Sequence, residues 1–291
     1  MTTPISYTPP SLLQDLHVLD LLELAGSQAK AGLALAMHQS TVCRSLRLMQ
    51  QELRLQPTTG PTVCRHGHND CLHHLRLAYR AHRFLDGVMR IGSDLLHQPL
   101  IEPLAQVQQV PPRFRSAEQW VELIRHGLLD GAILSSLALE SRLLSGQVPR
   151  WEGVQTKALG VLALQLVAIT PSTRRVLLPN RIAAPRLHQQ IDWAGLAIER
   201  QPAACQDTPA WLKRANDRRL ALPVIPALMG HSWLNHHNLV PLKEQPLLTE
   251  QLWLLLPEAS GSPNAVQQLL RRLRSRIQAG ETMQDPHENQ S

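Results

Sequence analysis

Arginine and hydroxyl side chains share one face of a helix that the sequence predicts after residue 38. The apolar residues recur at intervals of four, three and four, which indicates one buried face; they are Val42, Leu46, Met49 and Leu53. The opposite face is polar and consists of Ser40, Thr41, Arg44, Ser45 and Arg47. Arginine can bridge O6 and N7 of guanine. The pattern predicts a helix that offers Arg44 and Arg47 to DNA, although two such arginines alone more often form a solvated surface.

Cysteine and histidine side chains crowd the segment that follows this helix. The segment holds Cys64, His66, His68, Cys71, His73 and His74. Thiolate and imidazole groups are good ligands for zinc and copper. The spacing matches no standard zinc finger, and a His-rich loop along DNA phosphates, with Cys71 in the core, is the simpler interpretation. The sequence predicts no metal and no cofactor, and a site at Cys64, His66, His68 and Cys71 stays an alternative.

Two earlier helices must position the DNA-facing helix. The first is predicted to be amphipathic and to end at Gly26, because glycine readily adopts the left-handed conformation that closes a helix. Ser27 is a suitable N-cap for the second helix, residues 28–37, because its hydroxyl can accept from an unpaired N–H. A short turn near His38 leads into the third helix. This order is the plan of a helix-turn-helix.

The segment after Leu55 is rich in Pro, Gly and Thr, and predicts turns with a short hairpin where a wing would lie. Asn69 or Asp70 can cap the next helix, which is predicted to extend to about Arg90. An apolar stripe with basic flanks favours a dimerisation helix. The alternative is that this helix packs only on its own domain.

Charge and composition favour a globular protein with an anionic partner. The chain has 291 residues, 43% of them hydrophobic, and a formal net charge of +6. The sequence pI is about 9.6. Eight arginines lie between residues 38 and 90, against three acidic residues; they are Arg44, Arg47, Arg54, Arg65, Arg76, Arg80, Arg83 and Arg90. The basic excess surrounds the predicted DNA-facing helix, as a nucleic-acid reader requires.

The sequence predicts a cytoplasmic protein without a membrane partner. The N-terminus has no basic-then-apolar signal pattern. No apolar run approaches the roughly 18 residues that span a bilayer. Four cysteines in a chain of this size do not make a disulfide framework.

Short apolar strands alternate with helices from residue 91 onward, which predicts an α/β domain. Helices are predicted from Leu95 to about Gln109 and from a capping box at Ser116 and Gln119. Apolar strands are predicted at 158–169, 220–225 and 252–256, and a basic helix at 264–278.

The sequence resembles the LysR-type transcriptional regulators over most of its length. The N-terminal motif of the family aligns with this sequence without gaps. The aligned residues are Leu19, Gly26-Ser27, Ala31-Gly32, Leu35, residues 38–44 and Met49-Gln50. The family's Gly-x-Leu-Asp-x-Ala-Ile turn is matched by Gly127, Leu129, Asp130, Ala132 and Ile133. Gly32 stands where the family has Ala, at a helix cost of roughly 1 kcal/mol. His38 stands where the family has a capping Ser, and residues 64–71 replace its Arg-rich wing.

The resemblance implies an α+α/β architecture. It comprises a winged helix-turn-helix domain (1–68), a linker and dimerisation helix (69–90), and a two-lobed α/β effector domain that resembles periplasmic binding proteins (91–278). Lobe one is expected at 91–165 and 247–278, lobe two at 166–246, and a disordered tail at 279–291.

The resemblance also implies two sets of site residues. The expected DNA-binding residues are Ser27, Lys30, Gln39, Ser40, Thr41, Cys43, Arg44, Arg47, Arg54 and Arg65. Among them, Lys30, Arg54 and Arg65 suit phosphates, which position without specifying. The expected effector-binding residues are Ser93, Asp94, Ser135, Ser136, Gln165, Pro226 and Ala227.

The implied function is sequence-specific binding of double-stranded DNA by a homo-oligomer, a dimer or tetramer. An unknown small-molecule effector in the cleft between the lobes would shift the population of lobe arrangements. No plausible acid/base or nucleophile pair is present, so no enzyme activity is predicted. Two alternatives stay open: a metal- or redox-responsive regulator, and a soluble ligand-binding or enzymatic protein with a vestigial DNA-binding domain.

Overall fold

The computed structural model describes residues 7–59, 63–140, 147–200, 207–244, 246–259 and 263–282. Within these ranges the chain forms eleven α-helices and nine β-strands. The helices are α1 (Gln14–Ala25), α2 (Gln28–Leu35), α3 (Gln39–Glu52), α4 (Asp70–Leu85), α5 (Gln98–Ile101), α6 (Ala117–Arg125), α7 (Pro185–Trp193), α8 (Thr208–Arg218), α9 (Pro226–Met229), α10 (His231–His236) and α11 (Pro263–Thr282). The strands are β1 (Met89–Gly92), β2 (Val107–Gln109), β3 (Gly131–Ser135), β4 (Val154–Ala168), β5 (Arg175–Leu178), β6 (Ala197–Arg200), β7 (Leu222–Val224), β8 (Val240–Pro241) and β9 (Leu248–Pro257).

Local capping signals set the ends of the first two helices. α1 ends at Gly26, which is left-handed and donates its N–H to the carbonyl of Leu22 at 2.9 Å. The Ser27 side chain accepts from the backbone N–H of Lys30 at 3.3 Å and so begins α2. Both ends lie where the sequence predicts them.

The first helix differs from the amphipathic helix expected at this position. Every residue of α1 from Leu16 to Ala25 is buried. One side packs on α3, with Leu19 and Leu46 in one apolar cluster, and Leu24 on the other side belongs to the cluster that contains Trp120 of α6. A helix enclosed on all sides needs no solvent-facing stripe, and α1 therefore joins the N-terminal helices to the rest of the chain.

The fourth helix is shorter than predicted, and one face of it packs on its own chain. Asn69 caps α4 by accepting from the N–H of Leu72 at 2.9 Å, and the helix ends at Leu85 rather than near Arg90. The chain turns at Gly87, which has a φ of +67°, and continues into β1. The outer face stays exposed, and Leu85 there is 83% exposed.

The α/β region is built on one mixed sheet with the strand order β2-β1-β3-β9-β4-β7, in which β8 also pairs with β4. β1 is parallel to β2 and β3, whereas β9 and β4 are antiparallel neighbours. β5 and β6 form a separate parallel pair. This arrangement confirms the predicted α/β architecture in its general form.

The long strand β4 changes partners along its length. It pairs with β9 as far as Leu164 and with β7 from Gln165 onward. This change coincides with the end of the predicted first lobe, although the domain boundaries themselves stay a prediction.

Two predicted helix boundaries in the α/β region are wrong. Residues 95–109 do not form one helix, because only α5 and then β2 occur there. Proline lacks the N–H that continues a helix, and Pro103 lies two residues after the last residue of α5. At the other end, α11 extends to Thr282, beyond the expected start of the tail at 279; residues 283–291 lie outside the described residues.

None of the described helices is both long and apolar enough to cross a membrane.

Candidate nucleic-acid interface

The third helix presents most of the predicted polar face to solvent, but Ser45 is buried, and its assignment to that face is wrong. Val42, Leu46 and Met49 are buried against the neighbouring helices. Arg44 and Arg47 are exposed on the opposite side. The 3.6-residue period that predicts this helix therefore also gives the correct orientation of its two arginines.

A tight turn joins α2 to α3. Ala36 is left-handed, with a φ of 52°, and donates its N–H to the carbonyl of Leu33 at 3.3 Å. The next N–H, of Met37, donates to the carbonyl of Gly32 at 2.8 Å. A Cβ at Gly32 would lie 2.7 Å from the Met37 carbonyl oxygen. This turn therefore requires a residue without a side chain at position 32. A comparison of helix propensities does not include this requirement.

The start of α3 has no side-chain cap. His38 makes no capping hydrogen bond, and its carbonyl accepts from the N–H of Thr41 at 2.9 Å. Gln39 instead donates from Nε2 to Oε1 of Gln28 at 3.2 Å. This bond connects α2 to α3 beside the exposed arginines.

The ten expected DNA-binding residues all have some access to solvent. Lys30, Thr41 and Cys43 are half-buried. The exposed members are Ser27, Gln39, Ser40, Arg44, Arg47, Arg54 and Arg65. Their exposure is compatible with DNA contact, and the assignment stays a prediction.

Half of the basic residues that the sequence analysis assigns to an anionic partner face inward instead. These four are Arg76, Arg80, Arg83 and Arg90. Asp20 accepts from Nε of Arg76 at 2.8 Å and from Nη1 of Arg90 at 2.9 Å. Because these groups are buried and paired, they cannot contribute to the DNA-facing surface, and the expectation that they do is wrong.

Asp130 pairs with the remaining two buried arginines. Its carboxylate accepts from Nε of Arg80 at 3.0 Å and from Nη2 of Arg83 at 2.6 Å, and from the backbone N–H of Arg90 at 2.7 Å. Burial alone would raise the pKa of Asp130, but Arg83 and Arg80 hold it below its ordinary value. These ion pairs therefore connect α4 to the turn that precedes β3, where Asp130 lies.

The segment after α3 is held by a carboxylate that the sequence analysis did not single out. Glu23, on buried α1, accepts from the backbone N–H of Arg65 at 3.1 Å and of His66 at 2.7 Å. Thr58 donates its N–H to the carbonyl of Arg65 at 3.1 Å, which links the two sides of the predicted wing. Residues 60–62 lie outside the described residues, and the described part of the wing contains no strand.

The Cys/His cluster is assembled differently from its predicted form. Among the described residues, the group with metal-ligand spacing is Cys64, His68 and His126. Cys71 is exposed on α4, and neither it nor His66 belongs to that group. His126 follows α6 and lies 58 residues after His68, so local spacing could not have identified it.

Three of the expected effector-binding residues make internal polar contacts, and two of them, Asp94 and Ser135, belong to one network around His97 and Glu250. Ser93 donates to Oε1 of Gln98 at 2.8 Å. Oδ1 of Asp94 lies 2.7 Å from Nδ1 of His97. Ser135 donates to Glu250.

Buried His97 joins this network on both of its ring nitrogens. Its Nε2 lies 3.0 Å from Oε1 of Glu250. Burial alone would lower the pKa of His97, but Asp94 and Glu250 raise it well above its ordinary value. The network therefore contains an imidazolium between two carboxylates.

The other four expected effector residues have mainly structural positions. Ser136 Oγ accepts from the backbone N–H of Gln251 at 3.0 Å. Gln165 pairs with Val224 in the sheet. Pro226 and Ala227 form the first turn of α9.

A cavity of about 430 Å³ lies beside this network. Gln98, Glu102 and Pro112 line it from one side of the α/β region, and Asp207 and Trp233 from the other. Its lining includes none of the seven expected effector residues.

No protein-family model matches the sequence, and no curated protein matches it. Solved structures similar to this one include ArgP from Mycobacterium tuberculosis, with a TM-score of 0.48, 15% identity, and coverage of 90% of this chain and 96% of that one. OxyR from Corynebacterium glutamicum gives a TM-score of 0.47 at 13% identity and covers 96% and 97%. CbnR, described as a LysR family transcriptional regulator, gives 0.46 at 13% identity and covers 92% and 98%. LysR is also the family that the sequence resembles.

Proposed function

We propose that the chain is a LysR-type transcriptional regulator that binds double-stranded DNA through α3. The observation that carries this proposal is the exposed pair Arg44 and Arg47 on a helix whose other face is anchored by Val42 and Leu46. A helix held in this way can enter the major groove, where arginine recognises guanine. Arg54 and Arg65, exposed nearby in sequence, are suited to phosphates.

Small-molecule control is the second part of the proposal. The cavity of about 430 Å³ has a volume suited to a small ligand. Glu102 and Asp207 contribute carboxylates to its lining, which favours a ligand with a cationic or N–H group. Binding there makes the chain a ligand-responsive binding protein rather than an enzyme.

A short segment of chain that lines this cavity also contacts the DNA-binding helices. Pro112 lines the cavity, and the Arg113 guanidinium lies against Gly26 at the end of α1. Arg115 donates from Nη2 to the carbonyl of Leu24 at 2.6 Å. A ligand that moves this segment would therefore shift α1, and the population of DNA-competent molecules would change with it.

Assembly into a homo-oligomer would place two recognition helices on one target. The outer face of α4 is available for this purpose, because Leu77, Ala81 and Leu85 recur there every four residues and are exposed. We propose that a second copy packs on this face.

The DNA-binding assignment is tested by removing the two arginines from α3. The full chain is titrated into a labelled duplex from its own upstream region, and fluorescence anisotropy gives the dissociation constant over a range of salt concentrations. Arg44→Ala and Arg47→Ala should each weaken specific binding by about 1–3 kcal/mol, because a base contact is lost. Both substitutions lie on the exposed face, so the fold should be unchanged.

Arg218→Ala is the matched control, because it removes the same charge from an exposed position on α8. It should leave the dissociation constant close to that of the wild type. The proposal is wrong if Arg44→Ala and Arg47→Ala both bind the duplex as tightly as the wild type, or if all three variants lose affinity equally.

A further inference from the structure

Three side chains of types that can bind metal ions lie close together at the edge of the predicted wing, although they come from two distant segments. The ligand atoms of Cys64, His68 and His126 all lie within 4.8 Å of one another. Cys64 and His68 belong to the segment between α3 and α4, whereas His126 directly follows α6. Gly67 forms the turn between the first two, with a φ of +109°. The fold thus assembles a set of one sulfur and two nitrogens that no continuous motif contains.

The distance between the two imidazoles suits a tetrahedral metal ion. Nδ1 of His126 lies 3.3 Å from Nε2 of His68. Two nitrogens bound to zinc at ~2.0–2.1 Å in tetrahedral geometry lie about 3.3 Å apart. The Cys64 sulfur lies within 4.8 Å of both nitrogens, and it would have to approach them to about 3.5 Å to complete such a site.

Two neighbouring side chains, Glu122 and Arg76, contact two of these three residues. Oε2 of Glu122 lies 3.3 Å from Nε2 of His126, so the carboxylate can hold this ring with Nδ1 directed at the metal, as outer partners of metal-bound histidines do. Nη1 of Arg76 lies 3.8 Å from the Cys64 sulfur. On metal binding the thiol would release its proton to solvent, and the thiolate would be stabilised by the metal ion and by the Arg76 guanidinium.

We propose that Cys64, His68 and His126 bind a thiophilic late transition-metal ion, with zinc as the best fit, and that water takes the fourth position. One sulfur, two imidazoles and an open position form a donor set that zinc accepts. The bound ion would join the predicted wing to the end of α6 and so restrain the wing relative to the α/β region. This site is separate from both the α3 surface and the effector cavity.

The test measures metal binding by the full chain without a histidine tag, after removal of metal with a chelator. Zinc is titrated in competition with a chromophoric chelator, and one equivalent should bind. Cys64→Ser, His68→Gln and His126→Gln should each weaken binding at least 100-fold, whereas Glu122→Gln should weaken it by about 10-fold, as loss of an outer partner does. Cobalt provides an independent readout, because its thiolate charge-transfer absorption should appear in the wild type and vanish in Cys64→Ser.

Cys71→Ser and His74→Ala are the matched controls, because they remove the same residue types from exposed positions on α4. Both should bind zinc and cobalt as the wild type does. If Cys64→Ser fails to fold, His126→Gln decides the question, since His126 is only half-buried. The proposal is overturned if His126→Gln keeps wild-type zinc affinity, or if the two controls lose as much affinity as the three ligand variants.

Discussion

His17 shows how strongly a single buried side chain depends on its partners. Its Nδ1 lies 2.8 Å from the Tyr79 hydroxyl and 3.2 Å from Nη2 of Arg90. Arginine can only donate, so this nitrogen must carry a lone pair and the ring proton must be on Nε2. Burial, together with the charge of Arg90, lowers the pKa of His17 to about 3. In the folded chain the His17 ring therefore stays neutral at pH values well above 3.

We predict that His17 makes the fold sensitive to mild acid. The folded-state pKa lies below the ordinary value of about 6.5, so the unfolded chain takes up a proton first as the pH falls. The contribution of neutral His17 is complete above pH 6.5 and decreases below it, by about 2 kcal/mol at pH 5. His17→Gln keeps an acceptor for Arg90 but does not titrate. Its free energy of unfolding in urea should therefore fall less between pH 7.5 and pH 5 than that of the wild type.

The matched control for this pH experiment is His74→Gln, an exposed histidine on α4. It should retain the wild-type pH dependence. A His17→Gln variant that loses as much stability in acid as the wild type would show that another group is responsible.

At the scale of elements, the joint between α2 and α3 depends on two small residues with opposite requirements. Gly32 has no room for a Cβ, whereas Ala36 carries one in a left-handed conformation, with a φ of 52°. A left-handed residue other than glycine costs about 1–2 kcal/mol. Helix propensity alone would favour alanine at position 32 and glycine at position 36, which is the reverse of the actual sequence.

We predict opposite effects for the two exchanges. Gly32→Ala should lower the free energy of unfolding by about 1–3 kcal/mol, because the new methyl group meets a backbone carbonyl. Ala36→Gly should raise it by about 0.5–1 kcal/mol, since relief of strain exceeds the added entropy of the unfolded chain. Circular dichroism during urea unfolding measures both. A stabilised Gly32→Ala variant would mean that helix propensity outweighs the turn.

The elements with local signals could be predicted from the sequence, and those set by distant contacts could not. Ser27 and the capping box at Ser116 and Gln119 begin α2 and α6 as predicted, because a cap needs only its own first turn. The extent of α4 and the pairing of β2 depend on strands that lie far along the chain. Local periodicity carries no information about such partners. It therefore predicts one helix over residues 95–109, where the chain forms α5 and β2.

The candidate DNA-binding face could be predicted for a related reason. The position of Arg44 and Arg47 follows from the helical period of Val42, Leu46 and Met49 alone. By contrast, charge counting could not distinguish exposed arginines from buried ones, because burial is decided by carboxylates elsewhere.

Over the whole molecule, buried ion pairs join the N-terminal helices to the α/β region. Asp20 on α1 pairs with Arg90 on β1, and Asp130 before β3 pairs with Arg83 on α4. Taking such charges out of water is costly, and an unpaired one is costlier still. Loss of one partner would therefore leave a buried charge unpaired between the two parts of the chain, at a large cost in stability.

Removing the Asp130 charge tests this contact. Asp130→Asn keeps the size of the side chain but leaves Arg80 and Arg83 without a buried counter-ion, and breaking such a network costs about 3–5 kcal/mol. We expect a clearly lower thermal unfolding midpoint and faster proteolysis between α4 and β1. Asp217→Asn is the control, because Asp217 pairs with Lys213 in an exposed ion pair and its loss should change neither measurement. Equal midpoints for Asp130→Asn and the wild type would show that the Asp130 ion pairs are not needed to hold the two parts of the chain together, and that the Asp20 pairs and apolar packing suffice.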